Sequence, residues 1–258
     1  MTERVRARVF GEVADAYDDV RAGYPAGLAE VVLAYLGRSP ARAVEVGAGT
    51  GKATAAFAGR GLAVTCLEPD PAMAAVLARR FAGDPAVTVR VLRFEDWTAP
   101  DGGVDLLYSG QAWHWVDPRT RWRRAYDALA PGGVAAIFGH RYHFADQAMA
   151  DAVHGEAYAV HAPELMDEEP AHPVHDEGGF AAEMRAGRFG DVRRCEFDRV
   201  VRYPTGRYLA LLSTFSNHRM LAEDRRAALH TAVAGVVDAR GGIVEVQLAT
   251  ELVVGRRG

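Results

Sequence analysis

The residues Ala43 to Thr54, AVEVGAGTGKAT, constrain this chain more than any other stretch. Ala43-Val44-Glu45-Val46 is a short apolar run broken by one acid, the pattern of a strand buried in a parallel sheet. Gly-Ala-Gly-Thr-Gly then makes a turn, and from Lys52 the pattern becomes helical, predicting a helix over Lys52–Arg60. A strand, a glycine turn and a helix in that order bring backbone N–H groups and the positive end of a helix dipole to the carboxyl edge of a sheet. An anionic or polar ligand group can sit there, as in a nucleotide-type site.

Spacing narrows the ligand. A phosphate-binding loop needs a glycine four residues before the Gly-Lys pair and a Ser or Thr after it, but Val46 and Ala53 hold those positions. The dinucleotide fingerprint needs its third glycine where Lys52 stands. What remains is an acidic residue within the strand followed by G-x-G-x-G. Leu62 to Leu67 reads as a second strand ending in Glu68-Pro69-Asp70, and an acid at that point can accept both hydroxyls of a ribose through its two oxygens. A dehydrogenase places an acid there too, so Glu68 predicts a ribose without choosing the cofactor. Farther along come Val87–Leu92 with Arg93-Phe94-Glu95-Asp96-Trp97, then VDLLYSGQAWHW from Val104 to Trp115, then LAPGGVAAIF from Leu129 to Phe138.

In this order the five segments resemble the motifs of the class I S-adenosylmethionine (SAM) dependent methyltransferases. The chain is most similar to the small-molecule, trans-aconitate methyltransferase-like (type 11) branch, over roughly residues 17 to 138. The resemblance implies SAM as cofactor, held by Glu45, Gly47, Gly49, Thr50 and Gly51, with Glu68 and Pro69 at the ribose, Phe94 and Glu95 at the adenine, and Ser109 and Gln111 at the end of the fourth strand. Tyr17 to Pro25 resembles the family's Tyr–Arg–Tyr-Pro entry segment, which implies that Tyr17 and Tyr24 lie near the sulfonium and that Arg21 pairs with the cofactor carboxylate. Read as residues alone, the two tyrosines could equally be packing aromatics and Arg21 a surface charge.

Trp113-His114-Trp115 follows the fourth strand, where the fold implied by the resemblance faces the methyl donor. His114 is either a general base for the acceptor or a structural histidine bonded to a neighbouring loop, and Trp113 is a candidate substrate contact. Gly139-His140-Arg141-Tyr142-His143 leaves the fifth strand, making His140, Arg141 and Tyr142 candidate substrate contacts. His140-Arg141 replaces a Trp-Asn pair found in many relatives. Arg141 would suit a carboxylate or phosphate, or else caps the strand end. Ser213 to His218 resembles the branch's Thr-aromatic-Ser-x-His segment, with His218 facing the acceptor or capping a helix.

The chain as a whole alternates helix and strand: a helix over Leu28–Leu36 stopped by Ser39-Pro40, then helices over Pro71–Phe81, with Asp70 as its N-cap, and Arg119–Leu129 between the strands. Such alternation predicts an α/β fold with a parallel sheet and helices on both faces. The resemblance makes it a Rossmann-like, seven-stranded, mostly parallel sheet with an antiparallel last strand at Ile243–Val254. A single domain over 1–258 is expected, with an N-terminal helical cover over 1–40 that includes an amphipathic Val5–Ala16 helix, and an inserted substrate lid over 140–190. The lid is expected to carry helices at Gln147–Val160 and Gly179–Ala186.

Thirty basic against 34 acidic residues leave a formal charge of −4, which gives no electrostatic case for nucleic acid or an anionic membrane. No apolar run is long enough to cross a bilayer, the N-terminus lacks a signal-peptide core, and two cysteines make no disulfide framework, so a cytoplasmic protein is expected. His172 and His175 have a ligand-like interval beside Asp176 and Glu177, but no second pair matches it, and no metal is expected. The expected function is in-line methyl transfer from SAM to a small molecule, with carboxylate-bearing acceptors among the candidates. The alternative is a SAM-binding enzyme with non-methyl chemistry, cyclising SAM itself or a bound substrate. The acceptor and the oligomeric state are not legible.

Overall fold

A computed structural model describes residues 18–166 and 179–258. The expected Val5–Ala16 helix, Tyr17, and the group His172, His175, Asp176 and Glu177 lie outside the described residues. Seven strands form one sheet: β1 (Arg42–Val46), β2 (Ala63–Leu67), β3 (Val87–Arg90), β4 (Val104–Gly110), β5 (Leu129–Phe144), β6 (Gly190–Pro204) and β7 (Ile243–Arg256). Their spatial order is β3-β2-β1-β4-β5-β7-β6. The first five pair in parallel, with Glu45 opposite Cys66 on one side and Tyr108 on the other. Gly132 and Gly133 meet Arg257 while Ala145 meets Glu245, so β7 runs antiparallel to β5, as expected from the resemblance.

Among the described residues the chain packs as two compact units, one of residues 22–140, 179–197 and 250–258, the other of 18–21, 141–166 and 198–249. The core of the first follows from the period of two along its strands. Ala43, Leu106, Tyr108, Val134, Ala136 and Phe138 pack on one face with Leu28 and Val32 of α1 (Ala26–Leu36). Val44, Val46, Leu107, Ala135 and Ile137 pack on the other. That face is covered by Trp122 and Ala125 of α4 (Arg121–Ala128) and by Phe180 and Met184 of a helix at Phe180–Ala186.

α1 ends at Leu36 as expected, but Gly37 and not Ser39-Pro40 stops it: Gly37 takes a left-handed φ of 73° and its N–H bonds Leu33. α2 (Thr54–Phe57) is one turn instead of nine residues, because Ala58 leaves in extended conformation and Gly59 follows at φ 73°. By contrast α3 (Pro71–Arg80) begins as expected, Asp70 accepting from the Ala72 and Met73 amides.

The second unit is mainly helical. α5 (Gln147–Val153) passes into a π-helical turn at His154–Tyr158 and a last turn, α6 (Ala159–His161), so the expected Gln147–Val160 helix is interrupted. With α7 assigned to Phe180–Ala186 in the first unit, the remaining helices are α8 (Thr205–Leu212), α9 (Ser216–Met220) and α10 (Glu223–Asp238). Leu229 and Val233 of α10 are fully buried.

In the first unit, α7 is tied to α4 through one carboxylate. Glu183 accepts from Arg121 Nη2 at 2.5 Å, Arg121 Nε at 3.1 Å and Trp122 Nε1 at 2.6 Å, and Arg121 is almost fully buried. Removing the acceptor leaves a buried cation and a buried indole N–H without it. Glu183→Ala should therefore lower the unfolding free energy by about 2–3 kcal/mol. The change would appear as a fall in urea midpoint at unchanged slope, and Glu183→Gln should cost less.

Candidate active site

The turn after β1 is hung from β2. The amides of Gly47 and Ala48 donate to the Leu67 carbonyl at 2.9 and 3.1 Å, and the amide of Gly49 donates to Glu68 Oε2 at 2.7 Å. Glu68 Oε1 accepts from the Asp70 amide at 2.8 Å. Gly47 and Gly49 hold φ of 67° and 56°, a region that side chains with a Cβ disfavour. A Cβ at Gly47 would also overlap the Ala112 methyl, whereas one at Gly49 would meet nothing within 4 Å. The turn is thus closed below and open above, with a carboxylate at its rim. Burial pushes Glu68 up to about 7, against the Asp70 and Gly49 N–H bonds that pull it down.

Glu45 faces inward beneath the turn. It is 1% exposed, and Oε2 accepts from Thr54 Oγ1 at 2.6 Å and Tyr108 Oη at 2.9 Å, with Cys66 Sγ at 3.8 Å. Burial raises its carboxyl to about 7 as well. None of Thr54, Tyr108 or Cys66 was a sequence candidate. The signal was available, since an acid inside an apolar strand needs donors on its neighbours, and Tyr108 and Cys66 are the two register partners of Glu45.

At the ends of β4 and β5, Ser109 Oγ donates to the Val46 carbonyl at 2.8 Å, bracing β4 against β1 just before the turn. Gln111 sits at φ 58°, its amide on Phe138 O and its Nε2 on His140 O at 3.1 Å. The His140 ring is buried, bonds Thr250 Oγ1 through Nδ1 at 2.7 Å, and stacks on Tyr24 with centroids 4.5 Å apart. Tyr24 also meets Phe138 edge-on at 4.7 Å, and a Cβ at Gly110 would lie 2.7 Å from its hydroxyl and 3.0 Å from Ala53. Tyr24 therefore stands over the end of β4, beside the glycine turn.

Thr50 is buried within the turn, Gly51 closes it at φ 88°, and Pro69 is exposed after Glu68. Phe94 and Trp113 are core groups, 5.7 Å apart, and Trp113 packs on Trp122. Glu95 pairs with Arg93 at 2.9 Å and accepts from the Asp117 amide. His114 is half-buried against Trp115 on the single turn Trp113–Trp115.

Three other candidates gather in the second unit. The Arg21 guanidinium donates to Thr214 Oγ1 at 2.8 Å and lies over the rings of Phe215 and Tyr142 at 4.2 and 5.3 Å. His218 is buried, and its Nε2 is 3.0 Å from Tyr158 Oη. Burial, with His230 and Arg226 nearby, lowers its pKa to about 3, so the ring is neutral at any ordinary pH. Arg141 is half-buried in the same unit. Among the described residues no group of three or more His, Cys, Asp or Glu side chains could hold a metal ion, and no helix is long and apolar enough to cross a membrane.

The raised Glu45 carboxyl makes a pH prediction. A carboxyl whose folded pKa lies above its unfolded value of 4.5 holds its proton more tightly when folded, so its stabilising contribution is full below 4.5 and is lost as pH rises to about 7. Glu45→Gln stays neutral throughout. It should gain on the parent by on the order of 2–3 kcal/mol between pH 5 and pH 8 in urea unfolding. A difference constant across that window would contradict the raised pKa.

The comparisons with known proteins agree with this geometry. Residues 44–137 match the family model described as "Methyltransferase domain". An uncharacterized methyltransferase of Mycobacterium tuberculosis is 36% identical over 124 residues, 48% of this chain and 49% of that protein. The trans-aconitate 2-methyltransferase of Deinococcus radiodurans is 41% identical over 103 residues, 39% of this chain and 38% of that one. The chain thus spans about half or less of the length of the curated relatives it matches. A solved structure described as a type II methyltransferase of Anaeromyxobacter dehalogenans shares the fold with a TM-score of 0.64 at 22% identity, over 92% of this chain and 97% of that one. The matched segment runs from the middle of β1 through the glycine turn, Glu68 and β4 into β5, and over it the chain is similar to methyltransferase domains.

Proposed function

We propose that the protein transfers a methyl group from SAM to a small molecule. The observation that carries this is the bond from the Gly49 amide to the Glu68 carboxylate. That amide is already engaged, and α2 is a single turn, so the corner is poorly equipped for a phosphate. It offers instead a carboxylate acceptor beside open space, which suits the paired hydroxyls of an adenosyl ribose. Glu68 would hold the ribose, the Gly47–Gly51 turn would carry the methionine portion, and Tyr24, backed by His140, would present a ring to the sulfonium.

When bound, SAM supplies an activated methyl. The chain's own work is to hold donor and acceptor in line and to exclude water. His114 is the candidate base, positioned by Trp115, while Glu45 is occupied beneath the turn and is assigned to shaping it. Acceptor recognition is assigned to the end of β5 and the residues that follow it, with Arg141, Tyr142 and the neutral His218 as contacts. The name of the Deinococcus relative, a trans-aconitate 2-methyltransferase, supports a carboxylate-bearing acceptor, for which Arg141 is the matching charge.

Calorimetry tests the cofactor assignment. Glu68→Ala should weaken SAM binding by about 100-fold, two charge-assisted hydrogen bonds being lost. In the parent, affinity should fall about tenfold from pH 8 to pH 6 as the carboxyl near 7 takes its proton, and Glu68→Gln should remove that step. Unaltered binding in Glu68→Ala would overturn the assignment. Mass spectrometry of incubated SAM tests the reaction: S-adenosylhomocysteine is expected, whereas methylthioadenosine would indicate self-cyclisation. His114→Ala should lower turnover by about 100-fold at unchanged SAM affinity.

A further inference from the structure

A second cleft lies within the first unit, away from the glycine turn. It has a volume of about 340 Å³ and is lined by Arg123, Tyr126, Asp127, Ala186, Gly187 and Arg188. α4 runs from it into the start of β5, where Leu129 pairs with Val104, so the cleft opens near the amino ends of the strands. The glycine turn lies at their carboxyl ends.

The walls are built, not incidental. Glu183 ties α7 to Arg121 and Trp122 of α4, and Gly187 comes so close to Trp122 that a Cβ there would lie 2.8 Å from the tryptophan Cβ. Arg188 follows in a left-handed conformation, φ 71°, which an arginine rarely adopts. That conformation carries its guanidinium over the Tyr126 ring at 4.5 Å, and the Arg257 guanidinium lies 5.0 Å from the same ring. Elsewhere in this unit Arg38, Arg93, Arg119, Arg121 and Arg193 each lie against a carboxylate. The guanidiniums of Arg123 and Arg188 meet none among the described residues, and Asp127 is the one acid lining the cleft.

We propose that this cleft is a second binding site, for a small anion bearing a phosphate or at least two carboxylates, held between the forks of Arg123 and Arg188 over Tyr126. A cleft of this size admits a small metabolite, and guanidinium forks favour planar or tetrahedral oxyanions over a single halide. The site is independent of the methyl-transfer assignment, because it shares no residue with the glycine turn.

The test is titration with inorganic phosphate and, separately, citrate at constant ionic strength set with chloride, followed by calorimetry and amide chemical-shift mapping. Saturable binding with shifts centred on Tyr126, Asp127, Gly187 and Arg188 is expected, and the stronger of the two ligands identifies the oxyanion class. Arg188→Gly removes the guanidinium while relieving the left-handed backbone, so the variant should fold with an undiminished unfolding midpoint yet bind at least tenfold more weakly. Arg123→Ala should weaken binding similarly. Equal affinity in parent and Arg188→Gly, shifts centred on 47–51, or no saturation against chloride would each overturn the proposal.

Discussion

Glu68 and the glycine turn hold each other in place, and the geometry of the site depends on that contact. The Gly49 amide can point at the carboxylate only because Gly49 has a positive φ, and the carboxylate can receive it only because the Leu67 carbonyl draws Gly47 and Ala48 to the end of β2. The second oxygen takes the Asp70 amide, which in turn fixes Asp70 as the cap of α3. One side chain thereby sets a turn, a strand end and a helix start. Its acceptor capacity is not exhausted, since each carboxylate oxygen has a further lone pair. A buried acid in this position is costly, and the rise of Glu68 to about 7 expresses that cost.

Glu45 solves a different problem with the same chemistry. It lies one strand away and is equally raised, yet its donors are all side chains of the core, Thr54, Tyr108 and Cys66, and it has no open side. Tyr108 crosses from β4 and Thr54 comes from the single turn after the glycines, so the carboxyl binds three segments at one point. A hydrophobic residue of similar volume would pack there but leave the Tyr108 and Thr54 hydroxyls unpartnered. The two acids divide the work: Glu45 secures the underside of the corner, and Glu68 presents a face to whatever fills it.

The positions of the strands along the chain and the corner were legible because their signals are local. An apolar run, a glycine turn, and an acid at the next strand end are each set by a few neighbouring residues, and β1, β2, β4 and β5 lie where the pattern puts them. The shortness of α2 was not legible, since KATAAFAG has good helical propensity and only the glycines at 59 and 61 argue against it. Nor were the partners of the candidate site residues. Thr250 on His140, Thr214 on Arg21 and Tyr158 on His218 are separated from them by 110, 193 and 60 residues, and such pairings are fixed by tertiary packing. Trp113 shows the opposite failure: it stands at a motif position at the end of β4, but its ring belongs to the core beside Phe94 and Trp122.

The interruption of α5 reflects the side chains that the second unit has to bury. A regular helix through 147–160 keeps a 3.6-residue period, whereas the π-helical turn at His154–Tyr158 inserts an extra residue and rotates the turn after it. That rotation lets Tyr158 reach His218 while His154 meets Phe144 and Tyr158 edge-on. The Tyr158–His218 pair is neutral, because burial lowers His218 and raises Tyr158. A neutral imidazole in such surroundings can orient a polar group by hydrogen bonding without trapping it as an ion pair would.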